Sequence, residues 1–177
     1  SLPSPTRSSV TPLAAQAPLW PIANGTHDVL HSFQNPFVFF QYFHEGVDLR
    51  GSLIDVVAVR DGTVRYKNQG DSGGNIVVEV STPSGIESDS YLHVIIDPWL
   101  VGDPIQAGDR IGVINDNYFA QLLQDHVHVN RFDGYPGGNA YVTGRTNMLH
   151  PLALFATGPE RDPQELPAGP EDANEDG

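Results

Sequence analysis

The sequence predicts a mainly β protein, an antiparallel sheet or open sandwich with little helix. Three observations carry this reading. The dominant period is two: Ile76, Val78 and Val80 alternate with Val77, Glu79 and Ser81, and Val64 and Tyr66 alternate with Thr63, Arg65 and Lys67. Turn signals recur at short intervals, at 60–62, 70–74, 83–85, 107–109 and 133–134. Gly 18 and Pro 15 in 177 residues favour turns over long helices. One stretch, YFAQLLQ at 118–124, has the pattern of a helical turn or two.

The length suits one domain of ordinary size. Residues 1–21, rich in Ser, Pro and Ala, read as an extended arm or linker, and aromatic and β-branched residues become dense from Trp20-Pro21 onward. The folded unit is expected over 22–157. Residues 158–177 read as a solvated acidic tail, because seven acids face only Arg161 there and almost nothing apolar is left to bury. The chain begins at Ser1, which leaves room for an upstream segment removed in maturation. No apolar run approaches the roughly 20 residues that span a bilayer, so membrane insertion is not expected. A net charge of −13 disfavours nucleic acid and anionic membrane surfaces as partners. With Cys 0, neither disulfides nor thiolate metal sites are available.

Chemistry concentrates in histidine. His44-Glu-Gly-Val-Asp48 and His126-Val-His128 stand far apart in the chain, with Tyr91-Leu-His93-Val between them. Imidazole and carboxylate are good zinc ligands, and a hydrolytic zinc site needs three protein ligands plus an open position. His44, Asp48 and His128 supply such a set, leaving His93 and His126 for proton transfer. On a strand over 126–132, His126, His128 and Asn130 share one face while Val127 and Val129 anchor the other. The same alternation predicts Tyr91 and His93 on one face and Leu92 and Val94 on the other. The spacing of His44 and Asp48 would align on a helix, but Gly46 and Val47 are weak helix formers, and a strand entering a turn fits equally. Glu45, next to a ligand, is expected on the surface, and His27, His31 and His150 are read as surface or hydrogen-bonded residues.

Six segments, in order, resemble the M23 family of zinc metallopeptidases, the lysostaphin- or LytM-like cell-wall endopeptidases. HEGVDLRG (44–51) resembles the HxxxD ligand motif, and VVAVRDGTVRY (56–66) the strand–turn–strand that follows it. YLHV (91–94) resembles the YxH motif and VGDPIQAGDRIGVI (101–114) the glycine-punctuated hairpin. HVHVN (126–130) resembles the HxH motif, and HPLALF (150–155) the closing segment. The resemblance covers about 27–157. It implies an antiparallel sheet with a narrow groove over zinc, His44, Asp48 and His128 as ligands, and His93 and His126 as catalytic histidines. It further implies hydrolysis of peptidoglycan peptide bonds by metal-activated water, outside the cytoplasm. Two departures stand out: the usual glycine-rich stretch before HxH reads NDNYFAQLLQD, and Asn130 occupies the place of a usual acid.

Two other classes compete. A catalytically silent M23-like module would bind or regulate other envelope proteins, although all five polar positions are retained here. From ligand types alone, a two-histidine, one-carboxylate iron oxygenase is a third reading, but it does not call for two extra site histidines. VGDPIQAGDRIG also suggests a lipoyl-carrier hairpin, yet no lysine stands at a suitable turn.

Overall fold

The long central strands form where β-branched and polar residues alternate over eight or more positions. The computed structural model describes residues 20–22, 29–31, 36–37, 42–43, 45–51, 53–70, 73–116, 125–137 and 147–151. The helical expectation at 118–124 and the ligand position His44 lie outside these residues. The strands are β1 (Val29–His31), β2 (Pro36–Phe37), β3 (Tyr42–Phe43), β4 (Val47–Arg50), β5 (Asp55–Val57) and β6 (Gly62–Gly70). They continue with β7 (Gly73–Thr82), β8 (Gly85–Ile96), β9 (Pro104–Ile105), β10 (Arg110–Ile114), β11 (His126–Asp133) and β12 (Met148–Leu149).

All but β2 and β3, which pair with each other, join one sheet in the order β1-β4-β11-β8-β7-β6-β9. β10 pairs β5 and β8, and β12 pairs β11. Each of these pairings is antiparallel, as the sequence predicts.

One face of the sheet carries the core. Val47, Leu49, Val127, Val129, Tyr91, Ile76, Val78 and Val64 are buried there with Val56, Ala58, Ile111 and Ile114. Trp20 and Ile22 belong to the same cluster. The carbonyl of Pro21 accepts the Val57 amide at 2.8 Å, and Ile22 bridges Val56, so the packed chain includes Trp20 and Pro21.

Among the register shifts of the described strands, those on β6 and β8 move side chains between faces. On β6 the register passes from Val64↔Val78 to Tyr66↔Val77, so Tyr66 packs with Val77 and Phe132 rather than beside Val64. On β8 it passes from Asn75↔Leu92 to Gly74↔Val94, leaving His93 as the extra residue with φ of 64°. Tyr91 and His93 therefore do not share a face, contrary to simple alternation. Tyr91 is fully buried in the core, where its hydroxyl accepts the Val59 amide at 3.0 Å.

Beside Tyr91 lies an ionic cluster. The Arg60 Nε and Nη2 donate to Asp89 at 2.9 and 2.6 Å, and its Nη1 donates to Glu87. Arg131 donates twice to Glu87, each bond 3.0 Å. Burial works to raise the Glu87 carboxyl, yet the bonds from Arg60 and then Arg131 outweigh it and hold the group below its ordinary value. Burial, with the Asp89 charge added, pushes the Tyr91 phenol far up, so it stays neutral.

Two outcomes follow. Tyr91→Phe should lower unfolding free energy by about 1–3 kcal/mol in urea titration, because the buried Val59 amide loses its acceptor. A carboxyl depressed in the fold stabilises above its unfolded pKa, and that contribution fades as pH falls through the folded value. Glu87→Gln should accordingly be less stable than the parent near neutrality and lose less further stability between about pH 5 and pH 3, read by thermal midpoints.

Candidate metal centre

The face opposite the core carries the polar chemistry. Strand pairing sets Asp48 of β4 directly across from His128 of β11, and Arg50 across from His126. On the other side of β11, Leu92 stands across from His128 and Ser90 across from Asn130. Val47, Leu49, Val127 and Val129 fill the reverse face and are all buried, so the β4–β11 pair is anchored from behind. The sequence reading of 126–132, with imidazoles forward and valines back, holds in the structure.

Asp48 is the hub. Its Oδ1 lies 2.7 Å from Nδ1 of His128 and 3.6 Å from Nε2 of His126. An ionised carboxylate only accepts, so the shorter contact is an Nδ1–H donation from His128. The carboxylate and the His126 imidazole are nearly sealed, each residue 3% exposed, whereas the His128 side chain keeps 15% of its surface. His93 closes the group. Its ring centroid is 4.9 Å from that of His126, edge to face at 73°, and 6.5 Å from that of His128.

His93 reaches this face only because of the bulge. Its left-handed backbone, a strained conformation for a residue with a Cβ, interrupts the alternation that would have sent it into the core. Two local features hold the strain. The His93 carbonyl accepts the Asn115 amide at 2.9 Å, where β8 exchanges β11 for β10 as its neighbour. Gly73 packs underneath with φ of 93°, and a Cβ there would stand 2.8 Å from the His93 Cα. The sequence reading took Gly73 only as part of a hairpin turn; its role under His93 depends on a register that composition does not reveal.

Gly46 is the second residue whose smallness matters. A Cβ on it would lie 2.6 Å from Nε2 of His128 and 2.5 Å from the Val129 carbonyl oxygen. Asn130, noted from sequence as a departure, donates its Nδ2 to the Glu45 carbonyl at 3.0 Å. Glu45 is half-buried and takes part through its backbone. His150 follows β12, and burial lowers the pKa of its imidazole.

Four of the five expected site residues, Asp48, His93, His126 and His128, thus come together on one face, and His44 lies outside the described residues. Among the described residues no group of three or more acidic, histidine or cysteine side chains is arranged as a metal cage. The donor chemistry nevertheless suits zinc. Two ligands of one tetrahedral zinc stand ~3.4 Å apart, given bonds of about 2.0–2.2 Å. The Asp48–His128 pair, drawn to 2.7 Å by its hydrogen bond, needs a shift of less than ~1 Å to reach that spacing.

Known structures share this architecture. Lysostaphin from Staphylococcus simulans superposes with a TM-score of 0.61 at 17% identity, over 83% of this chain and 56% of that one. The chain carries the lysostaphin fold. A zinc-containing peptidase from Vibrio cholerae matches at a TM-score of 0.52 and 19% identity, over 66% of this chain and 37% of that one. A structure of the SpoIIQ–SpoIIIAH pore-forming complex matches at 0.58 and 20%, over 80% and 92%. The chain spans a little over half the length of two of the lysostaphin chains it matches, 53% and 56%. No family model and no curated protein matches the sequence. The likeness to M23 peptidases read from six short segments is thus met by their fold.

Gly46→Ala should displace the His128 ring, since nothing behind Gly46 can recede without moving Val129. The expected cost is about 1–3 kcal/mol of stability by denaturant titration, with the His128 imidazole resonances shifted in NMR spectra.

Proposed function

We propose that the chain is a zinc-dependent endopeptidase that hydrolyses peptide bonds of bacterial peptidoglycan outside the cytoplasm. The observation that carries this reading is the convergence of Asp48 Oδ1 and His128 Nδ1, with His126 and His93 beside them, on a lysostaphin-like sheet. Asp48 and His128 would hold the ion, together with His44. Zinc bound there supplies Lewis acidity, lowering the pKa of water from about 15.7 towards about 7 and polarising a carbonyl.

The chain's own groups do the rest. His126 directs Nε2 toward the Asp48 oxygen, which supports the reading that this nitrogen takes a proton from attacking water and returns it to the leaving amine. His93, packed edge-on against His126, stands on the other side and can donate to the oxyanion that develops on the carbonyl. The valines behind β4 and β11 fix both strands, so the histidines need little reorganisation during the reaction.

A second reading is a catalytically silent module of the cell envelope, favoured by the shared fold with a chain of the SpoIIQ–SpoIIIAH complex. Metal content separates the two. The endopeptidase reading expects about one zinc per chain after purification without chelator, and a silent module expects little. His128→Ala should lose both zinc and activity, whereas His126→Ala should keep most of the zinc and lose activity. Digestion of purified sacculi of different cross-bridge types, with fragments identified by mass, gives the activity readout. Full activity in His126→Ala would overturn the role assigned to that histidine.

A further inference from the structure

β11 changes partners in the middle of the site. β4 accompanies it from His126 to Val129, and β12 takes over from Arg131. Asn130 sits in the gap between them. There the chain preceding β4 runs through Gly46 and Glu45, and its backbone continues past the last paired residue, Val47. The Asn130 side chain spans the break by donating to the Glu45 carbonyl at 3.0 Å.

The orientation of that amide is dictated by its partner. A flip would set two acceptor oxygens against each other, so Nδ2 must face the carbonyl. The other end of the amide has a cost. Asn130 is 2% exposed, and its Oδ1 is buried without a hydrogen-bond partner among the described residues. An orphaned buried acceptor costs about 1–3 kcal/mol, which an apolar side chain of similar size would avoid. The donor end must therefore contribute something that an apolar residue cannot.

We infer that Asn130 is a positioning residue that clamps the segment leading into Asp48, through the Glu45 carbonyl, against β11. Resting on the zinc reading above, the clamp sets the approach of residues 45–48 to His128 and so tunes metal affinity. Gly46 is the other half of the device, because only a residue without a Cβ lets this segment lie against the His128 ring and the Val129 carbonyl. His44 immediately precedes Glu45 in the chain, so freedom at Glu45 would pass to the ligand position that the zinc reading assigns there. A hydrogen bond outside the coordination sphere that orients ligands is commonly worth about 10–100-fold in affinity.

The test uses Asn130→Asp, which replaces the donor by an acceptor of the same shape, and Asn130→Ala, which only removes it. Ser88→Ala, deleting a buried hydroxyl on the same face that also lacks a partner among the described residues, is the control. Zinc affinity of each full chain is measured by chelator competition. Hydrogen exchange of the metal-free chains is followed over 44–48. The expected result is a loss of about 10–100-fold in zinc affinity and faster exchange over 44–48 in both Asn130 variants, with Ser88→Ala like the parent. Should Asn130→Asp fail to fold, Asn130→Ala decides. Unchanged exchange over 44–48, or zinc affinity within about threefold of the parent, overturns the clamp. A parent chain without tight zinc sinks the endopeptidase reading instead, and exchange over 44–48 still judges the clamp.

Discussion

The contact between Asp48 and His128 is the constraint around which the rest of this fold is arranged. It joins two strands that are 80 residues apart in sequence and makes them register as direct neighbours. A carboxylate taken this far from water must be hydrogen-bonded or ionically paired. The His128 Nδ1 supplies that partner. Behind the pair, four buried side chains from the same two strands lock the sheet, so the polar contact is held by apolar packing on the reverse face. Slipping β11 by one residue would put His126 and His128 into the core and Val127 and Val129 at the surface, which explains why the register admits no alternative.

Around this pair the sheet departs from regularity in two places, and each departure brings a polar side chain to the site face. On β8, the neighbour changes from β11 to β10, and the bulge there turns His93 outward against His126. On β11, the neighbour changes from β4 to β12, and Asn130 fills the break with a side-chain bond. Glycine serves both irregular points, Gly73 under His93 and Gly46 beside His128, where a Cβ would collide with the histidine it supports. The regular strands give the scaffold its rigidity, and the interruptions redirect single side chains.

The antiparallel class, the strand from His126 and its two faces were legible in the sequence because β-branched alternation reports burial directly. Asp48, His93, His126 and His128 were identifiable as a group from motif order, and the fold brings them together. What alternation misplaced were residues at bulges. Tyr91 was grouped with His93 and Tyr66 with Val64, and in each case one inserted residue reversed the faces beyond it. A bulge leaves little trace in composition, since it arises from which strand lies alongside, and that is a property of contacts distant in sequence. The same limit hid the packing roles of Gly46 and Gly73, whose neighbours come from other strands. Asn130 was visible only as an unusual residue type, and its bond to Glu45 needed the geometry.

The central claim, that Asp48 and His128 face one zinc ion, is tested most directly by zinc K-edge X-ray absorption on the metal-loaded chain. A four-coordinate shell of nitrogen and oxygen at about 2.0–2.1 Å with imidazole scattering is the expected spectrum, and replacing Asp48 by Ala should alter that shell. A spectrum of oxygen ligands alone, or one indifferent to the loss of Asp48, would contradict the claim.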